Sequence, residues 1–278
     1  MNFLEVVEKY DYILKALVLV LTWVFGKEYT KFRSELKRRK LQRLLMLRNQ
    51  RTVIVAPVRS GRVKLDSNVG ATEIENDFIT MDEALSIYDA NKLIDDVSGQ
   101  CLSVSKIESS NETVSVSNNV FCIGGPLSND YAKKQFKSFF SSIKFGHPPK
   151  AKYLTNKNQK LLYDFTFEEK SDGEGCVKIG NEAFTFDRDT EGYIILIRLL
   201  GTVDFEHREH GTVHLCFGNN SITTKAAVKC YAEHCEELYR RLRKKRGHYF
   251  VMIKCSSDGA IKFKTFVDVT DKAFSSKE

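Results

Sequence analysis

Two stretches of the chain combine glycine with small polar residues where an apolar run stops. The first holds Gly124, Gly125, Ser128 and Asn129 within VFCIGGPLSNDYA; the second holds Gly218, Asn219, Asn220, Ser221, Thr223 and Thr224 within VHLCFGNNSITTKAA. Both read as strand, glycine turn, small polar residues, helix. Glycine permits positive φ and close backbone approach. Ser, Thr and Asn add short donors without a fixed counter-charge, and a helix starting there offers free N–H groups to an anion. A third strand end, PVRSG, adds Arg59 and Ser60, and the Arg fork suits phosphate or carboxylate. The chemistry these residues favour is binding of a nucleotide or other phosphorylated small molecule across the turns. Neither turn is GxGxxG or a P-loop, since GNNSITTK lacks the second glycine before lysine. The same residues therefore also read as ordinary capped strand-to-helix turns.

Other reactive residues are less organised. His207, His210 and His214 occur as HREHGTVH, and three histidines can hold zinc. A strand beginning before His214 would point them in different directions, so no metal is assigned. His234 reads as a core or edge histidine. The seven cysteines form no CxxC pair, and their odd count and wide spacing fit reduced thiols. Cys101, Cys122, Cys216 and Cys255 lie in apolar runs, where a thiol acts as a small hydrophobe. The carboxylates Glu83, Asp95, Asp96, Glu236 and Glu237 stand out only by location. A second reading is a nucleotide or NAD hydrolase using one of them, such as Glu83, at the same crevice. No catalytic residue and no cofactor is assigned.

The elements that would position these residues alternate between β-rich apolar runs and helical patterns, the signature of an α/β fold. Expected strands are 52–58, 100–107, 119–125, 193–200, 212–218 and 248–255. Near-continuous runs such as VIVAPV and YIILIRLL suit strands covered on both faces, so a Rossmann-like, mainly parallel sheet is expected. One helix should start at Thr80, where Thr80 and Glu83 form a capping box. A second should start after Ser128 or Asn129. A third should be capped by Thr223 or Thr224 and run unbroken into the basic RRLRKKR, which reads as a solvated face. Residues 146–192 read as β-hairpins inserted between halves 52–145 and 193–278.

The basic excess lies ahead of this domain. Residues 1–51 carry 12 Lys/Arg against 5 Asp/Glu, and the rest of the chain carries 31 of each. A neutral domain is a poor partner for a phosphate backbone, so nucleic acid is not expected. Residues 12–26, YILKALVLVLTWVFG, are apolar except for Lys15 and Thr22. They are expected to form a membrane anchor helix (1–26), followed by a basic linker helix (27–51) and the cytosolic α/β domain (52–278). Positive flanks stay in the cytoplasm, which predicts a single pass through the cell inner membrane with the C-terminal domain cytoplasmic and Trp23 at the headgroups. Two alternatives stay open: a helix lying in the interface of an anionic leaflet, and an oligomerising or core helix. Phe3, Val7, Tyr10, Leu14, Leu17, Leu21 and Val24 share one stripe, which supports a homo-oligomer.

The order of apolar helix, basic linker, then a domain with GGPLSN and FGNNSITTKAA resembles bacterial membrane-tethered Rossmann-like sensor or effector proteins, including those of antiphage defence. That resemblance implies membrane lipid as one partner and a nucleotide-type ligand as another. A structural or oligomerising membrane protein without a ligand is the remaining reading.

Overall fold

The computed structural model describes residues 3–47, 52–57, 59–67, 70–98, 108–109, 118–126, 128–139, 142–145, 152–155, 165–169, 174–179, 182–187, 189–200, 211–245 and 247–270. The chain opens with one helix, α1 (Phe3–Leu45). Its Leu, Glu, Lys and Arg content favours helix and it contains no proline. At 1.5 Å per residue it is about 65 Å long. The segments expected as separate anchor and linker helices are thus one continuous helix. It stops at Met46, which adopts φ 46° and donates its N–H to the Gln42 carbonyl at 2.8 Å.

The following elements are β1 (Thr52–Ala56), β2 (Arg59–Ser67), β3 (Gly70–Phe78), α2 (Met81–Ser98), β4 (Glu108–Ser109), β5 (Asn119–Ile123), α3 (Asp130–Phe139), β6 (Ser142–Phe145), β7 (Lys152–Thr155), β8 (Phe165–Glu169), β9 (Glu174–Ile179), β10 (Glu182–Asp187), β11 (Glu191–Leu199), β12 (Val213–Gly218), α4 (Ser221–Glu233), α5 (Cys235–Leu242), β13 (Tyr249–Ser256) and β14 (Val267–Asp268). The main sheet has seven strands in the order β14-β13-β11-β12-β5-β1-β4. Its β12–β5, β5–β1 and β1–β4 junctions are parallel, and its β11–β12, β11–β13 and β13–β14 junctions are antiparallel. The α/β class holds, but the sheet is evenly mixed rather than mainly parallel. An antiparallel strand at the centre of a covered sheet shows the same continuous apolar run as a parallel one. YIILIRLL is such a strand, buried from Gly192 to Leu199.

Residues 100–107, an expected strand, lie outside the described residues. Within and beside the expected insert, β6 to β10 form a separate five-stranded sheet, and β2 pairs with β3 as a long hairpin between β1 and α2. PVRSG does follow the end of β1 at Ala56, but Arg59 already begins the β2–β3 hairpin, so this strand end leads into a hairpin.

Alternation along the strands divides the core. Ile54, Ala56, Phe121, Ile123, Ile194, Leu196 and Cys216 share one apolar cluster with buried residues of α2, α4 and α5 and with Leu41, Leu44 and Leu45 of α1. Val53, Val55, Val120, Cys122, Ile195, Leu215 and Phe217 join Ala132 and Phe136 of α3 and Val177 and Phe186 of the second sheet. From β1 the chain reaches β4 on one side, then crosses to β5 on the other. The helix of the β1–β4 crossover, α2, packs into the first cluster, whereas α3, which follows β5, packs into the second, so the two helices lie on opposite faces of the sheet.

Candidate functional site

The reversal between β4 and β5 makes the carboxyl ends of β1 and β5 the switch point of the sheet, where α/β folds hold ligands. Gly124 lies there with φ 94°, and a Cβ on it would stand 3.2 Å from the Pro57 ring after β1. Gly125 accepts from the backbone N–H groups of Ser128 and Asn129 at 3.0 and 2.9 Å. Asn129, which is buried, caps α3. Its Oδ1 accepts from the N–H groups of Tyr131 and Ala132 at 3.0 and 3.2 Å, while its Nδ2 donates to the Ile123 carbonyl at 2.9 Å. Ser128 stays exposed, with its hydroxyl 3.3 Å from the Gly125 carbonyl.

At the second turn the cap is Asn220 rather than Thr223 or Thr224. Its Oδ1 accepts from the Thr223 N–H at 2.8 Å, and Thr223 Oγ1 accepts from the Asn220 N–H at 3.0 Å, closing a capping box. A short Asn side chain on extended backbone reaches that amide, so α4 starts earlier than expected. Thr224 Oγ1 accepts from the Gly218 N–H at 3.1 Å, and Asn219 Oδ1 from the Tyr193 N–H at 3.1 Å. Gly218 is required by packing, since a Cβ would come within 2.2 Å of Thr223 Oγ1. Ser221 donates to Asp82 at 3.3 Å, and Lys225 pairs with the same carboxylate at 3.3 Å. A carboxylate from the first turn of α2 thus stands against the first turn of α4, where an anionic ligand would have been expected.

The two turns sit on adjacent parallel strand ends, β5 and β12, but open onto helices on opposite faces. Asn129, Asn219, Asn220, Thr223 and Thr224 are committed to the chain's own backbone. Gly124 is buried and donates its N–H to the Cys216 carbonyl at 3.0 Å, which leaves Gly125 and Ser128 as the more open residues at the switch point. The side chain of Arg59 lies outside the described residues; its backbone is the first of β2. Glu83 is held in the expected capping box, accepting from the Thr80 N–H at 2.8 Å. The helix expected to run unbroken into the basic segment is divided at His234 into α4 and α5.

A polar cluster that the sequence reading missed lies at the other end of the strands, where β11 ends and β12 begins. Arg198 of β11 is buried. Its Nη1 donates to the carbonyls of Leu44 at 2.7 Å and Arg43 at 3.2 Å, and its Nη2 to those of Lys245 and Gly247 at 2.7 Å each. His214 Nε2 meets the Leu45 carbonyl at 2.7 Å, and Thr212 Oγ1 donates to Met46 at 2.9 Å. The last carbonyls of a helix have no intrahelical partner; here Arg198, His214 and Thr212 supply partners for the end of α1. Lys40 pairs with Glu236 at 3.1 Å and Arg43 donates to the Tyr239 hydroxyl at 2.8 Å, so α1 and α5 run in one direction and their ends converge on Arg198. An Arg amid IILIRLL and a His amid VHLCF were the available signals, because charge inside a buried strand needs partners.

Burial lowers the His214 pKa to about 3, against the raising effect of its bond to Leu45 and with a smaller lowering effect from Arg198. It is a neutral structural group, engaged by Leu45 and, at 3.5 Å, by Tyr231. His207 and His210 lie outside the described residues, and among the described residues no group of His, Cys, Asp or Glu could hold a metal ion. His234 is half-buried, with its ring 5.0 Å from that of Phe263. Burial pushes the Cys122, Cys216 and Cys230 thiols well above their ordinary range, which removes thiolate chemistry.

No protein family, curated protein or solved structure matches this chain. Among the described residues, no helix is long and apolar enough to cross a membrane.

Proposed function

We propose that this protein is an α/β ligand-binding domain carried at a membrane by α1, acting as a sensor or effector on the cytoplasmic face. One observation carries the reading: α1 is a single helix whose apolar portion is exposed at one end and whose other end is gripped inside the domain. Leu17, Val20, Leu21, Trp23, Val24 and Phe25 are exposed, whereas Leu41, Leu44 and Leu45 are buried. Such a helix passes any shift in the domain to whatever holds its apolar portion. Residues 12–26 extend about 22 Å, short of the ~30 Å hydrocarbon core, which favours a helix embedded in the interface over the expected single pass.

The ligand reading rests on the switch point, with Gly125 and Ser128 as the residues facing a phosphorylated small molecule and the buried Gly124 shaping the turn beneath them. The Gly218–Thr224 turn serves as its structural neighbour. The layout also fits the resemblance to bacterial membrane-tethered sensors and effectors. A thermal-shift screen of the full chain against nucleotides and sugar phosphates tests it. At least one compound should stabilise the protein, and Ser128→Asp should abolish that effect by placing a carboxylate at the site. If no compound stabilises the protein, or if Ser128→Asp responds as the parent does, the ligand reading fails.

A further inference from the structure

We infer that the exposed stripe of α1 from Phe25 to Leu36 pairs with the same stripe of a second copy of this chain, in a parallel two-stranded coiled coil. The inference is independent of the ligand and membrane readings above, and it places the seam of a homo-oligomer beyond the Phe3–Val24 line. Phe25, Tyr29, Phe32 and Leu36 are exposed at steps of four, three and four, the spacing of successive core positions in a heptad. At 100° per residue this stripe lies roughly 140° round the helix from the mean direction of the buried Leu41, Leu44 and Leu45. Two helices joined along it therefore carry their domains on the outside of the pair.

The charges bordering the stripe select both the occupant and its direction. Glu28 and Glu35 lie along one border, Arg33 and Lys40 along the other. In a parallel pair the residue before one core position faces the residue after the next core position of the second copy. Glu28 thus faces Arg33, and two-fold symmetry forms that contact twice. An antiparallel pair would set Glu beside Glu and Arg beside Arg, and like charges repel. Charge on both borders also leaves a narrow apolar seam, which suits two strands rather than a larger bundle. Lys40 already pairs with Glu236 at 3.1 Å and Glu35 with Arg39 at 3.4 Å, so the exposed Glu28 and Arg33 carry the complementarity. Beyond Leu36 the next two core positions are Arg39 and Arg43, whose like charges end the seam where the domains begin.

Sedimentation equilibrium of the full chain in a non-ionic detergent should show a dimer. Glu28→Arg and Arg33→Glu should each weaken it roughly fivefold or more, and the chain carrying both changes should recover it. Disulfide formation reads the direction. Leu36→Cys should cross-link two copies, because parallel strands in register bring this position against itself. Lys27→Cys, also exposed but roughly 170° round the helix from the stripe, should not. A monomer throughout, or an assembly larger than two, overturns the inference. So does a dimer that ignores both charge changes or cross-links at Lys27→Cys rather than at Leu36→Cys. A monomer that binds phosphatidylcholine vesicles, and loses that binding on Phe32→Glu, gives the stripe to lipid and overturns the pairing while leaving membrane attachment intact.

Discussion

Arg198 and Leu44 are separated by 154 positions in the chain, yet the guanidinium of the first donates at 2.7 Å to the carbonyl of the second in a buried contact. The same guanidinium reaches Lys245 and Gly247 beyond α5 and stacks 4.6 Å from the Tyr249 ring. One buried cation thus satisfies the ends of two helices, and α1 belongs to the folded core although most of its length projects from it. The dipoles of helix C-termini favour a cation at this place.

Arg198→Met should destabilise the protein by about 3 kcal/mol or more, because it leaves several buried carbonyls without donors. Arg198→Lys should recover only part of that loss, since an ammonium cannot span both helix ends. Urea unfolding of the three proteins checks this order.

Acid should weaken the fold through His214. Its folded pKa of about 3 lies below the ordinary value near 6.5, so the unfolded chain binds the proton first. The stabilising contribution is complete above about pH 6.5 and is lost as the pH falls toward 3, at no more than about 1.4 kcal/mol per unit. The charged and titratable neighbours are Arg198, Tyr231 and Tyr249, of which only Arg198 is cationic here. His214→Gln should therefore be less stable than the parent at pH 7 but show a shallower decline between pH 6 and 4, measured by urea unfolding across that range.

Asn129→Ala should cost about 1–2 kcal/mol, because it removes a helix cap and the donor to Ile123 together. Ser128→Ala, one position away but exposed, should stay within about 0.5 kcal/mol of the parent. Thermal unfolding of both variants separates the structural residue of this turn from the one left for a ligand.

Two glycines should respond in opposite directions. Gly218→Ala would place a Cβ 2.7 Å from the Tyr193 carbonyl and 2.5 Å from Thr223 Cβ, and such overpacking costs about 1–3 kcal/mol. At Gly26, inside α1, a Cβ meets nothing within 4 Å, so Gly26→Ala should strengthen the helix by about 0.5–1 kcal/mol. Melting temperature for the first and far-UV circular dichroism for the second provide the readouts.

Local patterns announced the elements well. Thr80 and Glu83 formed the capping box that their spacing predicts, and five of the expected apolar runs are strands of the main sheet. Strand direction was not legible, because YIILIRLL would be equally apolar beside parallel or antiparallel neighbours. The turns around Gly124 and Gly218 were found, but their polar residues serve helix caps, and sequence alone does not distinguish an Asn that binds from one that caps. The grip on α1 was hidden for another reason. It joins Arg198, His214 and Thr212 to backbone carbonyls more than 150 positions away, and a carbonyl leaves no trace in residue type.

The most direct test of attachment through α1 compares membrane fractionation of the full chain with that of a chain beginning at Glu35. The shorter chain keeps Leu41, Leu44 and Leu45 and the carbonyls that Arg198 and His214 engage. The full chain should sediment with membranes, while the shorter one should stay in the supernatant and melt at a similar temperature. A full chain found in the supernatant, or two chains that sediment alike, would contradict attachment through α1.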